Sequence, residues 1–177
     1  MKRSIRPMEI SDLDLMIDYF LQADHKFLRA MGVEPSKLPS HEKWHQLLEK
    51  DFQQPIEQKQ FYYLIWEIDN QPVGHSNINK ITFGQEAYMH LHVWQKDLRK
   101  QGNGTYFVQE SIGHYFEKFH LQNLFCEPYS LNKAPNKTLP KAGFEFIKTY
   151  EPEIGWINFR QSVNRWGMSK EQFLNNF

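Results

Sequence analysis

The chain has 177 residues, 40% hydrophobic and 15% aromatic, which is enough apolar material for one folded domain spanning residues 1–177. Its 21 basic and 21 acidic residues cancel, which excludes the strong net charge that draws proteins to nucleic acids or anionic membranes. The single cysteine, Cys126, excludes an internal disulfide and favours a reducing compartment. Because no apolar leader and no membrane-length apolar run is visible, we expect a cytoplasmic protein, monomeric or homodimeric.

Strands and helices alternate in the predicted order of elements. Apolar residues at helical spacing predict helices near residues 11–21, 25–31, 40–52, 108–119 and 132–142. Alternating and β-branched segments predict strands near residues 4–8, 61–68, 73–81, 87–94, 123–127, 144–150 and 156–163. This order favours an α/β fold in which helices flank one mixed sheet.

Histidines are concentrated on one face of a predicted β-hairpin. If the strands at 73–81 and 87–94 turn at Phe83-Gly84, the numbers of cross-strand partners sum to about 167, which places His75 opposite His92. Side chains alternate along a strand, so one face carries His75, Asn77, Asn79, Tyr88, His90 and His92. The other face is apolar and typical of a core.

Three interpretations of this histidine face stay open. A histidine titrates near neutrality, so one of them can accept a proton from an attacking ammonium group. Alternatively, three imidazoles together with Glu127 can supply ligands for zinc. In the third interpretation the histidines are hydrogen-bonded packing residues without a chemical role.

A glycine-rich turn joins the strand at 87–94 to the long helix that follows it. The turn reads Arg99-Lys100-Gln101-Gly102-Asn103-Gly104. Glycine has no Cβ, so a ligand can approach the main chain closely at Gly102 and Gly104. Backbone N–H groups at a helix N-terminus favour anions, and a pyrophosphate suits such a turn.

This turn resembles the acetyl-CoA signature of the GCN5-related N-acetyltransferase (GNAT) family, which reads Arg or Gln, two residues, Gly, one residue, Gly or Ala. A second stretch resembles the next motif of that family, in which an Asn precedes Gly-Phe by eleven positions; here these are Asn132 and Gly143-Phe144. The resemblance covers nearly the whole chain. Residues 163–171 are similar to the tail of the branch that acetylates ribosomal-protein N-termini.

The resemblance implies a splayed, mixed central sheet of six to seven strands flanked by helices. It also implies acetyl-CoA as the acyl donor and direct transfer of the acetyl group to a primary amine, on a small molecule or a protein N-terminus. In the family, loop amides hold the CoA pyrophosphate and the preceding strand pairs with the pantetheine arm. By this resemblance the cofactor-binding residues are Val93, Trp94, Arg99, Lys100, Gln101, Gly102, Asn103, Gly104, Thr105 and Asn132.

The candidate catalytic residues are His90 first, His92 second, and Glu127 as an alternative base or as a partner of an imidazole. A backbone amide near Val93-Trp94 would polarise the thioester carbonyl. No metal is expected, because the chemistry of the family requires none.

One position departs from the family pattern. Leu139 stands where many members carry the tyrosine that protonates the departing CoA thiolate. This departure is compatible with one alternative to an active acetyltransferase, an inactive CoA-binding protein. The histidine face gives the other alternative, a histidine-ligated metal-dependent hydrolase. Aromatic residues in the predicted acceptor segments, such as Phe27 and Trp156, indicate either an apolar amine or ordinary core packing.

Overall fold

The computed structural model describes residues 1–99 and 101–176, in which one seven-stranded sheet has the strand order β1-β2-β3-β4-β5-β7-β6. The strands are β1 (Arg3–Pro7), β2 (Tyr62–Ile68), β3 (Gln71–Thr82), β4 (Glu86–Val93), β5 (Asn123–Cys126), β6 (Glu145–Tyr150) and β7 (Val163–Ser169). The helices are α1 (Leu13–Leu21), α2 (His25–Ala30), α3 (His41–Phe52), α4 (Asn103–Phe119), α5 (Lys133–Lys141) and α6 (Lys170–Asn176). Within the described residues, β4 and β5 pair in parallel and the other neighbouring strands are antiparallel.

Side-chain chemistry sets several element boundaries. The carboxylate of Asp24 and the hydroxyl of Ser40 accept backbone N–H groups at the starts of α2 and α3. Asp69 and Asn70 have φ angles of 49° and 62°, the left-handed conformation of a two-residue hairpin turn between β2 and β3. Gly102, with a φ of 80°, directly precedes α4, so the chain turns sharply from β4 into this helix.

Helices cover both faces of the sheet. Phe107 and Phe119 of α4 lie in one core, together with Trp66 of β2. Phe20 of α1 and Trp44 of α3 lie in the second core on the opposite face. Both faces of β2 and of residues 73–78 of β3 are therefore largely buried.

A parallel strand pair opens into a gap at the centre of the sheet. β4 pairs with β5 over three residues, Glu86–Tyr88, against residues 123–125. Beyond Tyr88, in the part of the chain that the structure describes, residues 89–93 pair with β3 alone. We call the gap between residues 89–93 and residues 126–132 the wedge. The sheet is thus splayed as predicted.

The predicted position of the last strand, residues 156–163, is wrong. Residues 156–162 do not form a strand, because this segment crosses to the α2–α3 connection, where the N–H of Glu34 donates to the Ile157 carbonyl at 2.8 Å. Asn158 forms an isolated β-bridge with Val33 there. We call residues 151–162 the strap. Strand β7 and helix α6 follow it, in a region where the sequence analysis expected only a tail.

Candidate active site

The predicted register of the histidine hairpin is confirmed, since His75 lies opposite His92 and Asn77 opposite His90. The rings of His75 and His92 stack with their centroids 4.8 Å apart. Nδ1 of His75 accepts a hydrogen bond from Nε1 of Trp94 at 2.8 Å, so the proton of this imidazole is on Nε2. Burial, chiefly, lowers the pKa of His75 well below its usual range. His75 is therefore a neutral, hydrogen-bonded core residue.

His92 lies in an aromatic environment. Its ring centroid is 5.5 Å from that of Tyr19 and 5.1 Å from that of Phe20, both on α1. Burial and the nearby His90 and Arg99 lower the pKa of His92 to about 3, so the ring is neutral at physiological pH. Among the described residues, its buried Nδ1 has no hydrogen-bond partner.

His90 is half-buried, as is His92, whereas His75 is fully buried. Its Nε2 lies 3.1 Å from Oδ1 of Asn79. A carbonyl oxygen only accepts, so Nε2 carries the proton and Nδ1 keeps its lone pair. Burial and the charge of Lys80 lower the pKa of His90 to about 4. The structure thus presents a neutral imidazole with one ring nitrogen able to accept a proton.

Glu127 belongs to a polar cluster at the edge of the wedge. The hydroxyl of Tyr150 donates to its Oε1 at 2.6 Å, and Nη1 of Arg165 lies 3.6 Å from the same oxygen. Nη2 of Arg165 donates to the hydroxyl of Tyr88 at 2.9 Å, and the guanidinium lies 4.2 Å over the ring of Phe125. We call these five residues the Arg165 cluster. The described contacts of Glu127 are with a cation and a phenol, not with an imidazole.

The zinc interpretation finds no support in this arrangement. Among residues 1–99 and 101–176, no group of three or more His, Cys, Asp or Glu side chains is placed to hold a metal ion. The unprotonated nitrogen of His75 is already used by Trp94. Glu127, the proposed fourth ligand, is held by Tyr150 and Arg165.

The backbone of β4 presents polar groups to the wedge. The N–H of Trp94 donates to the Val73 carbonyl on β3 at 2.9 Å, so it is unavailable to a ligand, contrary to its predicted role. Successive residues of a strand direct their N–H and C=O groups to opposite sides. The backbone groups of Val93, Leu91 and Met89 therefore point away from β3 and into the wedge. The predicted amide near Val93-Trp94 is therefore that of Val93, which faces the gap.

Arg99 lies at the mouth of the wedge rather than over the glycine turn. Its Nε and Nη2 donate to the Val93 carbonyl at 3.1 and 2.7 Å, and its guanidinium lies 4.8 Å over the ring of Phe27. Gln101 likewise turns back, donating to the Asp97 carbonyl at 2.6 Å. Lys100 lies outside the described residues. In this structure Arg99 fixes the end of β4 relative to α2.

The glycine turn leaves space in front of α4. A Cβ added to Gly102 or Gly104 would meet no described atom within 4 Å. Thr105 is half-buried in the first turn of α4, whereas Asn103 is buried and donates from Nδ2 to the Leu98 carbonyl at 3.2 Å. A ligand group can therefore approach the first backbone amides of α4, which have no hydrogen-bond partner within the helix.

The far wall of the wedge is organised by Asn136, a residue that the sequence analysis missed. Its Nδ2 donates to the carbonyls of Tyr129 and Asn132, at 3.0 and 2.8 Å, and its Oδ1 accepts from Nε1 of Trp166 at 2.9 Å. Asn132 is at the N-cap position of α5, but within the described chain its side chain makes no capping hydrogen bond. Leu139 is fully buried in the core.

The splayed parallel pair, with a glycine-capped helix directly after its first strand, defines the class of acetyltransferase folds. Residues 3–145 match the acetyltransferase (GNAT) domain family, and the chain belongs to this family. It is accordingly an acyltransferase of the N-acetyltransferase type, with acetyl-CoA as acyl donor and an amine as acceptor. No helix among the described residues is long and apolar enough to cross a membrane.

Solved structures share this fold over nearly their whole length. Spermidine N-acetyltransferase from Vibrio cholerae, in complex with CoA and spermine, is 16% identical with a TM-score of 0.80, covering 98% of each chain. A ribosomal L7/L12 alpha-N-protein acetyltransferase in complex with CoA is 14% identical with a TM-score of 0.76, covering 96% of this chain and 94% of its own. Aminoglycoside acetyltransferase AAC(6')-Ib, in complex with CoA and kanamycin, is 13% identical with a TM-score of 0.75 over 99% of each chain. No curated protein sequence matches this chain significantly.

Proposed function

We propose that the wedge binds acetyl-CoA and that a primary amine is acetylated on the sheet face that carries His90. The observation that supports this most directly is the unpaired edge of β4, which is followed along the chain by the glycine turn and the N-terminus of α4. Its five residues, 89–93, span about 16 Å at about 3.3 Å per residue. An extended arm can pair with this edge while its phosphates lie at the glycine turn.

The backbone of the wedge fits such a ligand. The first amides of α4 have no helical partners and favour phosphate, and the space in front of Gly102 and Gly104 admits it. Arg99 donates hydrogen bonds to the Val93 carbonyl. The Val93 N–H and the backbone of Leu91 are therefore the groups that can pair with the amides of an extended arm. Asn132, without a capping bond, is available from the opposite wall.

Acetyl-CoA supplies an activated thioester, and the chain supplies a proton acceptor and an amide donor. We assign proton acceptance to Nδ1 of His90, directly or through a water molecule. His92 is less suited because its ring packs against Tyr19 and Phe20. Glu127 is less suited because Arg165 and Tyr150 already stabilise its charge. The Val93 amide polarises the carbonyl that is attacked.

The acceptor is a primary amine of a small molecule or a protein N-terminus. The structural neighbours include complexes with spermine and kanamycin and an enzyme named for a ribosomal protein, so the fold accommodates both kinds. The single cysteine supports a reducing, cytoplasmic location, which we propose for this protein. We also propose that it is a single domain and acts as a monomer or homodimer. The sequence contains no nucleic-acid-binding motif.

A second candidate is an inactive CoA-binding protein, favoured by the burial of Leu139 at the usual tyrosine position. Calorimetric titration with acetyl-CoA, followed by thiol-release assays with several amines, separates the two. Saturable binding with amine-dependent CoA release is the expected result. Binding without release from any amine would identify the inactive protein, and absence of binding at millimolar acetyl-CoA would overturn the assignment of the wedge.

A further inference from the structure

The open part of the wedge carries one carboxylate. Residues 89–93 contribute no acidic side chain, and residues 123–132 contribute only Glu127. An amine that enters with additional positive charges needs a counter-charge for each one that loses contact with water. The state of Glu127 therefore influences which acceptors the open wedge favours.

Arg165 already neutralises this carboxylate. The side chains of Arg165 and Glu127 are 22% and 11% exposed, and their charged atoms lie 3.6 Å apart. The stack on Phe125 and the hydrogen bond to Tyr88 hold the guanidinium in place. Solvent screens such a pair less than an exposed one, so a second cation beside Glu127 would be repelled by Arg165.

Further cations border the same face. Nζ of Lys80 lies 5.0 Å from the ring centroid of Tyr88, and Arg99 lies at the mouth of the wedge. The surfaces between these charges are aromatic or neutral, formed by Tyr88, His90 and Phe125, all half-buried. Such walls bind an apolar or aromatic body and offer no ion pair to a distant ammonium group.

We propose that Arg165 is a specificity-determining residue that disfavours polycationic acceptors, and that the acceptor is a primary monoamine with an apolar or aromatic body. This rests on the proposed function, because it concerns the acceptor side of that site. The fold is shared with enzymes solved with spermine and with kanamycin. In this chain the carboxylate of the open wedge, Glu127, already pairs with Arg165.

The test compares kcat/KM for 2-phenylethylamine and spermidine by CoA release. Wild-type protein is expected to favour 2-phenylethylamine by about tenfold or more, because the two remaining ammonium groups of spermidine find no free carboxylate in the open wedge. Arg165→Gln removes the cation that pairs with Glu127 and is expected to shift the ratio about tenfold toward spermidine, whereas Arg165→Lys keeps the charge and the wild-type preference. Thermal melting confirms that each variant is folded.

Arg160→Gln is the matched control, since it also breaks an arginine–carboxylate pair. Arg160 contacts Glu151 at 2.9 Å, but the two side chains are 78% and 54% exposed on the strap, so the ratio should not change. A wild-type preference for spermidine, or an unchanged ratio in folded Arg165→Gln, would overturn the proposal. If no amine is turned over, the proposed function fails separately. In that case calorimetry measures the affinities of both amines for the CoA complex. Their ratio is then compared between the wild type and the variants in place of the kcat/KM ratio.

Discussion

His90 and His92 are two residues apart on β4, and their surroundings give them different capacities. Asn79 orients the half-buried His90 so that Nδ1 keeps a lone pair, whereas rings of α1 pack against His92. Because burial lowers the pKa of His90 to about 4, the imidazole is neutral above about pH 5 and can accept a proton throughout the neutral range. Below its pKa it is protonated and cannot act as a base.

At this scale we expect His90→Gln to lower kcat by about 100-fold, the usual contribution of a general base, with the KM for acetyl-CoA unchanged. The loss should be equal between about pH 6 and pH 8, since His90 does not titrate there. Steady-state kinetics across this range measure it. His114→Gln on α4, which loses a 3.0 Å contact with Tyr62, is the control and should retain kcat. Equal losses in both variants would remove His90 from the mechanism.

At the scale of the element, the start of α4 decides donor binding. Gly104→Ala adds a methyl group where nothing lies within 4 Å, so we expect the variant to fold at least as well as the wild type. The methyl group enters the proposed phosphate space, and the Kd for acetyl-CoA should rise about tenfold or more. Gly113→Ala in the same helix places its Cβ 3.8 Å from Phe173, an ordinary contact, and should keep the Kd. Calorimetry that finds equal affinities would place the phosphates elsewhere.

The elements also show what the sequence could predict. The hairpin of β3 and β4 has the predicted register over residues 74–79 and 88–93, although the ladder shifts between Asn79 and Thr82 before the turn. The same register could have excluded the Trp94 amide, since alternation directs it toward β3. The strap was mistaken for a strand because its partners, near Val33, are far away in sequence. The Arg165 cluster was missed because it forms only once β4, β5, β6 and β7 lie side by side.

At the scale of the whole molecule, three neutral histidines link stability to pH. The pKa values of His75, His90 and His92 are all lowered in the folded protein, chiefly by burial. Between these values and the ordinary pKa of about 6.5, the unfolded chain binds more protons than the folded one. The free energy of unfolding should therefore fall as the pH falls below about 6.5. Each histidine contributes a slope of up to about 1.4 kcal/mol per pH unit.

Two substitutions to phenylalanine distinguish two effects on the free energy of unfolding, that of histidine protonation and that of a lost hydrogen bond. His92→Phe removes a ring whose buried Nδ1 has no described partner, so we expect little change in the free energy of unfolding at about pH 7. His75→Phe leaves Nε1 of Trp94 without its acceptor and should cost about 1–3 kcal/mol. Both should flatten the loss of stability between about pH 6 and pH 5, because one fewer proton is taken up on unfolding. Urea unfolding at each pH measures both effects. A wild-type slope retained in both variants would show that these histidines are charged in the folded protein.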